Sequence, residues 1–298
     1  VDIDPSKVGQ DVGTVAELGQ PLGVTVQPEL HTALIGAKPD IVLHATGSRL
    51  DRILSQFLAL AEAGLPVVST CEELSYPWFH HPDEARQVDE AAKHAGVAIL
   101  STGINPGFIM DALPIMLSGV CPSVTAVRVR RVVDLSQRRM QLQQKVGVKM
   151  SQAEFSAKRA EGRLGHVGLP ESVAMIAAGL GWQLDRIEET LDPVIAPEAL
   201  ESALGPVAAG EVQGQHQFAR GYVGGVERIT LELKMALQAA DAGDFVDLEG
   251  PEPVSSAIHG VQGDIATGAI IVNAIPNVLA AAPGLHTMLD MPPPRSVG

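Results

Sequence analysis

The 298-residue chain is expected to fold as an α/β protein: a parallel sheet wound with helices, followed by a mixed α+β domain. Three observations lead there. Short apolar runs alternate with helix-period segments over the first third of the chain. Glycine and proline punctuate those segments where helices should stop. Past Cys121 the strand-like runs lengthen and alternate apolar with polar residues.

Taken in order, residues 24–26, 41–43, 67–68 and 97–100 are apolar runs of buried-strand type. Over 49–63, Leu50, Ile53, Leu54, Phe57, Leu58 and Ala61 recur at helical spacing. Gly64 stops that helix and Pro66 follows it; Pro82 and Asp83 open the next, which Gly96 closes. Strand and helix alternating at this spacing give right-handed βαβ units and a parallel sheet of the Rossmann type.

The pattern then changes. Residues 124–133 alternate apolar side chains with Arg128, Arg130 and Arg131, which reads as a strand whose arginines face solvent or a dimer partner. Helices are expected over 152–160 and 171–180, and strands over 212–222, 229–235 and 245–248. Gly224-Gly225 joins the first two of these as a hairpin. A last helix, 265–279, is expected to return to the first domain, and the Pro-rich end after Met291 to be a loose tail. The resulting domains are 1–118 for a dinucleotide, 119–256 for substrate and dimerisation, and 257–298 for the returning helix and tail.

The formal net charge of -14 argues against nucleic acid or an anionic membrane as partner. The two cysteines, Cys71 and Cys121, form no CxxC and no His/Cys cluster, so neither a metal site nor a disulfide framework is expected. That cysteine usage suits a reducing compartment, and the cytoplasm is the expected location. No run of 18 apolar residues occurs.

A nucleotide-binding domain of this kind begins with a strand, a Gly-rich turn and a helix. Here Val1-Asp2-Ile3-Asp4 already reads as the end of a second strand. The expectation is that roughly 30 further residues precede it in the natural protein.

Ligands of open α/β sheets bind beyond the carboxyl ends of the strands. Three such ends here carry small, polar or acidic residues: His44-Ala45-Thr46-Gly47-Ser48, Ser69-Thr70-Cys71-Glu72-Glu73-Leu74, and Gly103-Ile104-Asn105-Pro106-Gly107. Adjacent carboxylates at a strand tip are poor core material and good chemistry material. Together the three tips suggest one continuous site. Small residues at Ala45, Thr46, Gly47, Ser48, Thr70 and Cys71 would let backbone approach a cofactor, with Ser48 also suited to capping a helix. Cys71 reads as a small buried residue, not a nucleophile. Asp2, at a strand end, suits the hydroxyls of an adenosine ribose and favours NAD; Lys7 nearby leaves NADP open.

These three tips, with Asp4-Pro5-Ser6-Lys7-Val8-Gly9-Gln10-Asp11, Gly165-His166-Val167-Gly168-Leu169-Pro170-Glu171-Ser172 and Gly263-Asp264-Ile265-Ala266-Thr267, occur in an order that resembles the 2,4-diaminopentanoate dehydrogenase and native amine dehydrogenase family. That group has a dihydrodipicolinate reductase-like N-terminal domain. The resemblance spans nearly the whole chain. The His-rich segment and Lys-x-Asp-Ala-Pro-Ser-Gly-Thr of true dihydrodipicolinate reductases are missing; Gln144-Lys145-Val146-Gly147 keeps only the lysine.

The resemblance implies an NAD(P)-dependent homodimeric oxidoreductase that interconverts a small amine with its ketone plus ammonia. Glu73 or Glu72 would then bind ammonium or iminium and move its protons, with Glu73 the first choice of the two. Asn105, Thr267 and Asn273 would hold the nicotinamide side of the cofactor. Ile104, Met110, His166 and Lys145 would line the substrate pocket. Two alternatives stay open. One is a reductase of a cyclic imine or amino acid, which would need an arginine aimed into the pocket. The other is a non-catalytic binding protein that keeps the fold.

Overall fold

The structure, a computed structural model, describes residues 1–35 and 37–296. The chain divides into two compact units, Val1–Val42 and Leu43–Gly298. The first holds two short helices, α1 (Val12–Val15) and α2 (Leu30–Leu34). The expected strand at 24–26 is reduced to a single antiparallel bridge between Thr25 and Asp11. Its backbone groups are taken up locally: Val12 N–H donates to Val24 O at 2.7 Å, and Val26 N–H to Gln10 O at 2.9 Å. The Asp11 carboxylate accepts from the N–H groups of Gly13, Leu22, Gly23 and Val24. That turn satisfies the donors a longer ladder would need.

The larger unit carries two sheets. The first is built from β1 (Val42–His44), α3 (Leu50–Glu62), β2 (Val67–Ser69), α4 (Pro82–Ala95) and β3 (Ala98–Ser101). β2 and β3 run parallel in the register Val67↔Ile99, Val68↔Leu100 and Ser69↔Ser101. Val67, Val68, Ile99 and Leu100 are fully buried, as strands covered on both faces require. α3 buries the stripe Leu50, Ile53, Phe57, Leu60 and Ala61. α4 has Pro82, Asp83 and Glu84 in its first turn, Lys93 and His94 in its last, and ends on Gly96 at φ 74°. All are the residues a helix dipole and a left-handed cap favour at those positions.

The remaining elements are α5 (Ala112–Ser118), β4 (Ala126–Asp134), α6 (Met140–Lys145), α7 (Gln152–Ala160), α8 (Leu169–Gly179), β5 (Arg186–Ile195), β6 (Val212–Val223), β7 (Val226–Ala236), β8 (Gly243–Glu249), β9 (Val254–Ile258), α9 (Gly263–Ala280) and β10 (Gly284–His286). A six-stranded sheet has the order β5-β6-β7-β4-β8-β9. β4 and β7 pair in parallel at its centre; the other neighbours are antiparallel. Gly224 and Gly225, at φ 60° and 76°, form the β6–β7 turn, as a two-residue hairpin demands. Its core packs Val127, Val129, Ala219 and Leu231 against Val173, Ile176 and Ala177 of α8. A fully buried Val, Leu or Ile of this kind contributes roughly 1.5–3 kcal/mol.

One expectation is corrected here. Arg131 is not on the wet face with Arg128 and Arg130. The strand period places it beside Val127 and Val129, buried, where Asp244 Oδ1 accepts from its Nη1 at 2.5 Å. The start of the Pro-rich end is held in place, while Pro293, Arg295 and Ser296 beyond it are exposed and irregular. Met291 is buried, and Asn277 Nδ2 donates to Pro292 O at 2.7 Å. α9 returns to the parallel sheet as expected, packing on β2 and β3, and β10 then adds a fourth parallel strand beside β3. By length and composition α9 could cross a membrane; Ile270, Ala274 and Val278 form its buried face.

Candidate active site

Because β1, β2 and β3 lie side by side in one sheet, the residues after them gather at one edge. Ala45, Thr70 and Gly103 line a single cavity of about 480 Å³, completed by Glu72, Asn105, Pro106, Arg139, Asp264 and Thr267. The α9 side is fixed by charge: Asp264 pairs with Arg138 at 3.0 Å and Arg139 at 3.4 Å. Ile104 N–H donates to Thr267 Oγ1 at 3.4 Å.

The two adjacent acids separate. They occupy a short 3₁₀ turn, Glu72–Leu74, whose residues project in different directions. Glu73 is buried; it accepts from Leu50 N–H at 2.7 Å and from Arg49 Nη1 at 3.0 Å, with His81 Nε2 at 3.4 Å. It therefore closes the start of α3. Glu72 instead faces the strand-tip cavity. Burial raises its carboxyl above the ordinary range, against its own backbone N–H, the Ser48 hydroxyl and the nearby Lys145 ammonium, which favour the charge.

Lys145, at the end of α6, and His166, in the α7–α8 loop, come to the same place. His166 Nε2 lies 3.1 Å from the Asn105 carbonyl oxygen and 3.2 Å from its Nδ2. Nε2–H donates to the carbonyl in one tautomer; the bare nitrogen accepts from the amide in the other. Burial first, then Lys145, pushes His166 down to about 4, so the imidazole is neutral near pH 7. Gln217 holds its backbone at both ends, accepting from His166 N–H at 2.7 Å and donating to His166 O at 3.0 Å. The Asn105 loop is anchored by Asp111, fully buried, which accepts from Gly107 N–H, Ala112 N–H and Ser172 Oγ–H at 2.6–2.8 Å. Gly168, at φ 105°, packs against Pro106 and Glu72; a Cβ there would come within 2.6 Å of Pro106 Cδ and 3.1 Å of Glu72 Cβ.

Two more cavities adjoin. One of about 690 Å³ is lined by Glu73, His80, His81, His166, Glu171, Glu189 and Gln217 among others. Glu171 is buried with His80 Nδ1 at 3.3 Å. The other, about 390 Å³, is lined by Thr46, Gly47, Ser48, Arg49, Arg52, Lys145 and Arg163 among others.

Of the residues singled out from sequence, Ala45, Thr46, Gly47, Ser48, Thr70, Glu72, Glu73, Asn105, Lys145, His166 and Thr267 line these cavities. Cys71, Ile104, Met110 and Asn273 do not. Cys71 is fully buried, its Sγ donating to Ser48 O at 3.5 Å, and burial pushes its thiol up to about 12. Met110 is fully buried and belongs to the core of the six-stranded domain. Asp2 lies in the smaller unit, where Lys7 Nζ donates to it at 2.8 Å. Among the described residues no group of three His, Cys, Asp or Glu side chains could hold a metal. Sequence reasoning missed Arg139, Glu171, Glu189, Arg52 and Arg163. Only tertiary folding brings those charges to the cavities. Asp264, in the first turn of α9, is a wall of the cleft, and Gln262 is the cap.

Comparison with known proteins bears on this geometry. Residues 108–298 match the family of the 2,4-diaminopentanoate dehydrogenase C-terminal domain. The chain is 33% identical to the 2,4-diaminopentanoate dehydrogenase of Acetoanaerobium sticklandii, over 98% of this chain and 89% of that protein. It is 27% identical to an amine dehydrogenase of Streptomyces virginiae, over 99% and 89%. A solved amine dehydrogenase from Mycobacterium smegmatis superposes with a TM-score of 0.86 at 27% identity, over 99% of this chain and 88% of that one. By sequence along nearly its whole length and by fold, the chain belongs to the 2,4-diaminopentanoate dehydrogenase family of amine-oxidising dehydrogenases.

Proposed function

We propose that the chain catalyses nicotinamide-dependent oxidative deamination of an amine, and the reverse amination of a ketone, with Glu72 as the proton-handling carboxylate. The observation that carries this is the Glu72 carboxylate, desolvated yet beside Lys145, in the cavity at the strand tips. A carboxylate so placed attracts the ammonium of an amine and is basic enough to take its proton.

A nicotinamide fits the residues present. Asn105 Oδ1 is buried without a hydrogen-bond partner among the described residues, an acceptor suited to a carboxamide N–H. Thr267, Thr70, Ala45 and Gly103 supply small and polar walls around it. Held there, that group would supply a hydride acceptor for the carbon bearing nitrogen. The chain's own residues do the rest. Glu72 receives the proton that the ammonium must lose before hydride can leave. The iminium that results adds water, and nitrogen departs as ammonium while the ketone forms, so each turnover consumes one water and releases one net proton. His166, neutral and held by Asn105 and Gln217, offers a fixed polar wall without adding positive charge beside an iminium.

The test is NADH and NADPH oxidation by the protein with small ketones, with and without excess ammonium. Oxidation that needs both ketone and ammonium supports the reading. Ketone reduction indifferent to ammonium, or none with any ketone, contradicts it.

A further inference from the structure

We infer that His44 is a positioning residue for Glu72, acting through Ser69 and the backbone of Cys71 at the buried base of the acid's turn. This rests on the reading of Glu72 as the proton-handling carboxylate and names what holds it in place.

The 3₁₀ turn Glu72–Leu74 starts from Cys71. Three contacts pin that residue. Its N–H donates to Ser69 Oγ at 3.0 Å, its carbonyl accepts from Ser101 Oγ–H at 2.6 Å, and its Sγ donates to Ser48 O at 3.5 Å. Ser69 and Ser101 end β2 and β3, and both are buried with Cys71. Hydroxyl groups inside a parallel sheet need hydrogen-bond partners, and here the partner is the residue that carries the turn.

His44, at the end of β1, orients Ser69. Its ring is buried and lies 4.6 Å from that of Phe57. Nδ1 is 3.0 Å from Ser69 Oγ, and Nε2 is 2.8 Å from Gln56 Oε1. Gln56 Oε1 also accepts from Thr46 Oγ1–H at 2.6 Å. An amide oxygen only accepts, so Nε2 carries the ring proton. Nδ1 is then bare, and Ser69 Oγ–H donates to it. With its proton committed to His44, the Ser69 oxygen turns its lone pairs to Cys71 N–H. Burial holds His44 below its ordinary value, so the ring is neutral near pH 7 and the arrangement persists there. Without an acceptor at Nδ1, the Ser69 hydroxyl is free to rotate and Cys71 is held less firmly. A carboxylate displaced in this way costs rate more than binding, because proton transfer needs hydrogen-bond reach.

Two measurements test this. Nitrogen-15 NMR of the histidine rings reads the tautomer: His44 should be neutral at pH 7 and protonated on Nε2. In turnover, Ser69→Ala should lower kcat about ten- to hundredfold with KM for the amine little changed. His44→Gln, which keeps a donor in place of Nε2, should do the same. His44→Asn, which keeps an acceptor facing Ser69, should retain most of the parent's rate. In a Glu72→Gln background, Ser69→Ala should cost little further rate, because both act on one step. The inference is overturned by a His44 ring that is cationic or protonated on Nδ1, by equal losses in the Asn and Gln variants, or by a Ser69→Ala loss that multiplies in full onto that of Glu72→Gln. A kcat that merely follows melting temperature across the variants also overturns it. If the parent oxidises no amine, or Glu72→Gln turns over as the parent does, the reading of Glu72 fails instead, and the tautomer alone decides the link from His44 to Ser69.

Discussion

The carboxylates of Glu72 and Glu73 serve different parts of the molecule although their residues are adjacent. Glu73 accepts from Leu50 N–H at 2.7 Å and pairs with Arg49 at 3.0 Å, which makes it a fixture of the α3 start. Glu72 opens onto the strand-tip cavity with Asn105 and Thr267. Neutral replacements should therefore separate activity from stability. Glu72→Gln should lower kcat about 10²- to 10⁴-fold, the usual loss for a general base, with the melting temperature unchanged. Glu73→Gln should cost about 1–3 kcal/mol of stability, read by denaturant unfolding, with a smaller effect on kcat.

Glu72 also sets a pH dependence. Burial raises its carboxyl above the ordinary glutamate range, and the deprotonated form is the one that can accept the ammonium proton. Amine oxidation should fall on the acid side, with an apparent pKa above that of a free glutamate. The pH–rate profile checks it. The limb should vanish in the residual activity of Glu72→Gln.

His166 acts on stability with the opposite kind of group. Its folded-state value is lowered from 6.5 to about 4, so the unfolded chain binds the proton more readily. Stability from this residue is complete above the unfolded value and is lost as pH falls from about 6.5 towards about 4. Denaturant midpoints measured across that interval should decline in the parent protein and decline less in His166→Asn.

Gly168 couples the loop before α8 to the Pro106 and Glu72 turns. Its φ is 105°, and a methyl group on its Cα would sit 2.6 Å from Pro106 Cδ. Gly168→Ala must therefore displace Pro106, Glu72 or both. The expected cost is about 1–2 kcal/mol for the backbone conformation alone, and kcat should fall more than the thermal midpoint suggests. Activity against melting temperature in the single variant measures both.

What the sequence could disclose follows from the physics of each element. α3 and α4 carry their signals locally, in the Leu50–Ile53–Phe57 stripe and in Pro82 and Gly96. β5 hides: Arg186, Glu188, Glu189, Asp192 and Pro193 break an apolar pattern because it is an edge strand, where charges and proline are tolerated. β10 is three residues long, too short for a periodicity. At the site, the strand tips were legible because a parallel sheet gathers its carboxyl ends. The choice between Glu72 and Glu73 was not, since it depends on the geometry of a single 3₁₀ turn. Arg52 and Arg163, far apart in the chain, meet only after folding.

The most direct test of the account is formation of NADH or NADPH from an amine by the parent protein and by Glu72→Gln, alongside equilibrium cofactor binding by both. The account predicts equal cofactor binding, ammonia released in step with reduced cofactor in the parent, and turnover reduced at least about a hundredfold in the variant. Undiminished turnover by Glu72→Gln, or reduced cofactor formed without ammonia, would contradict it.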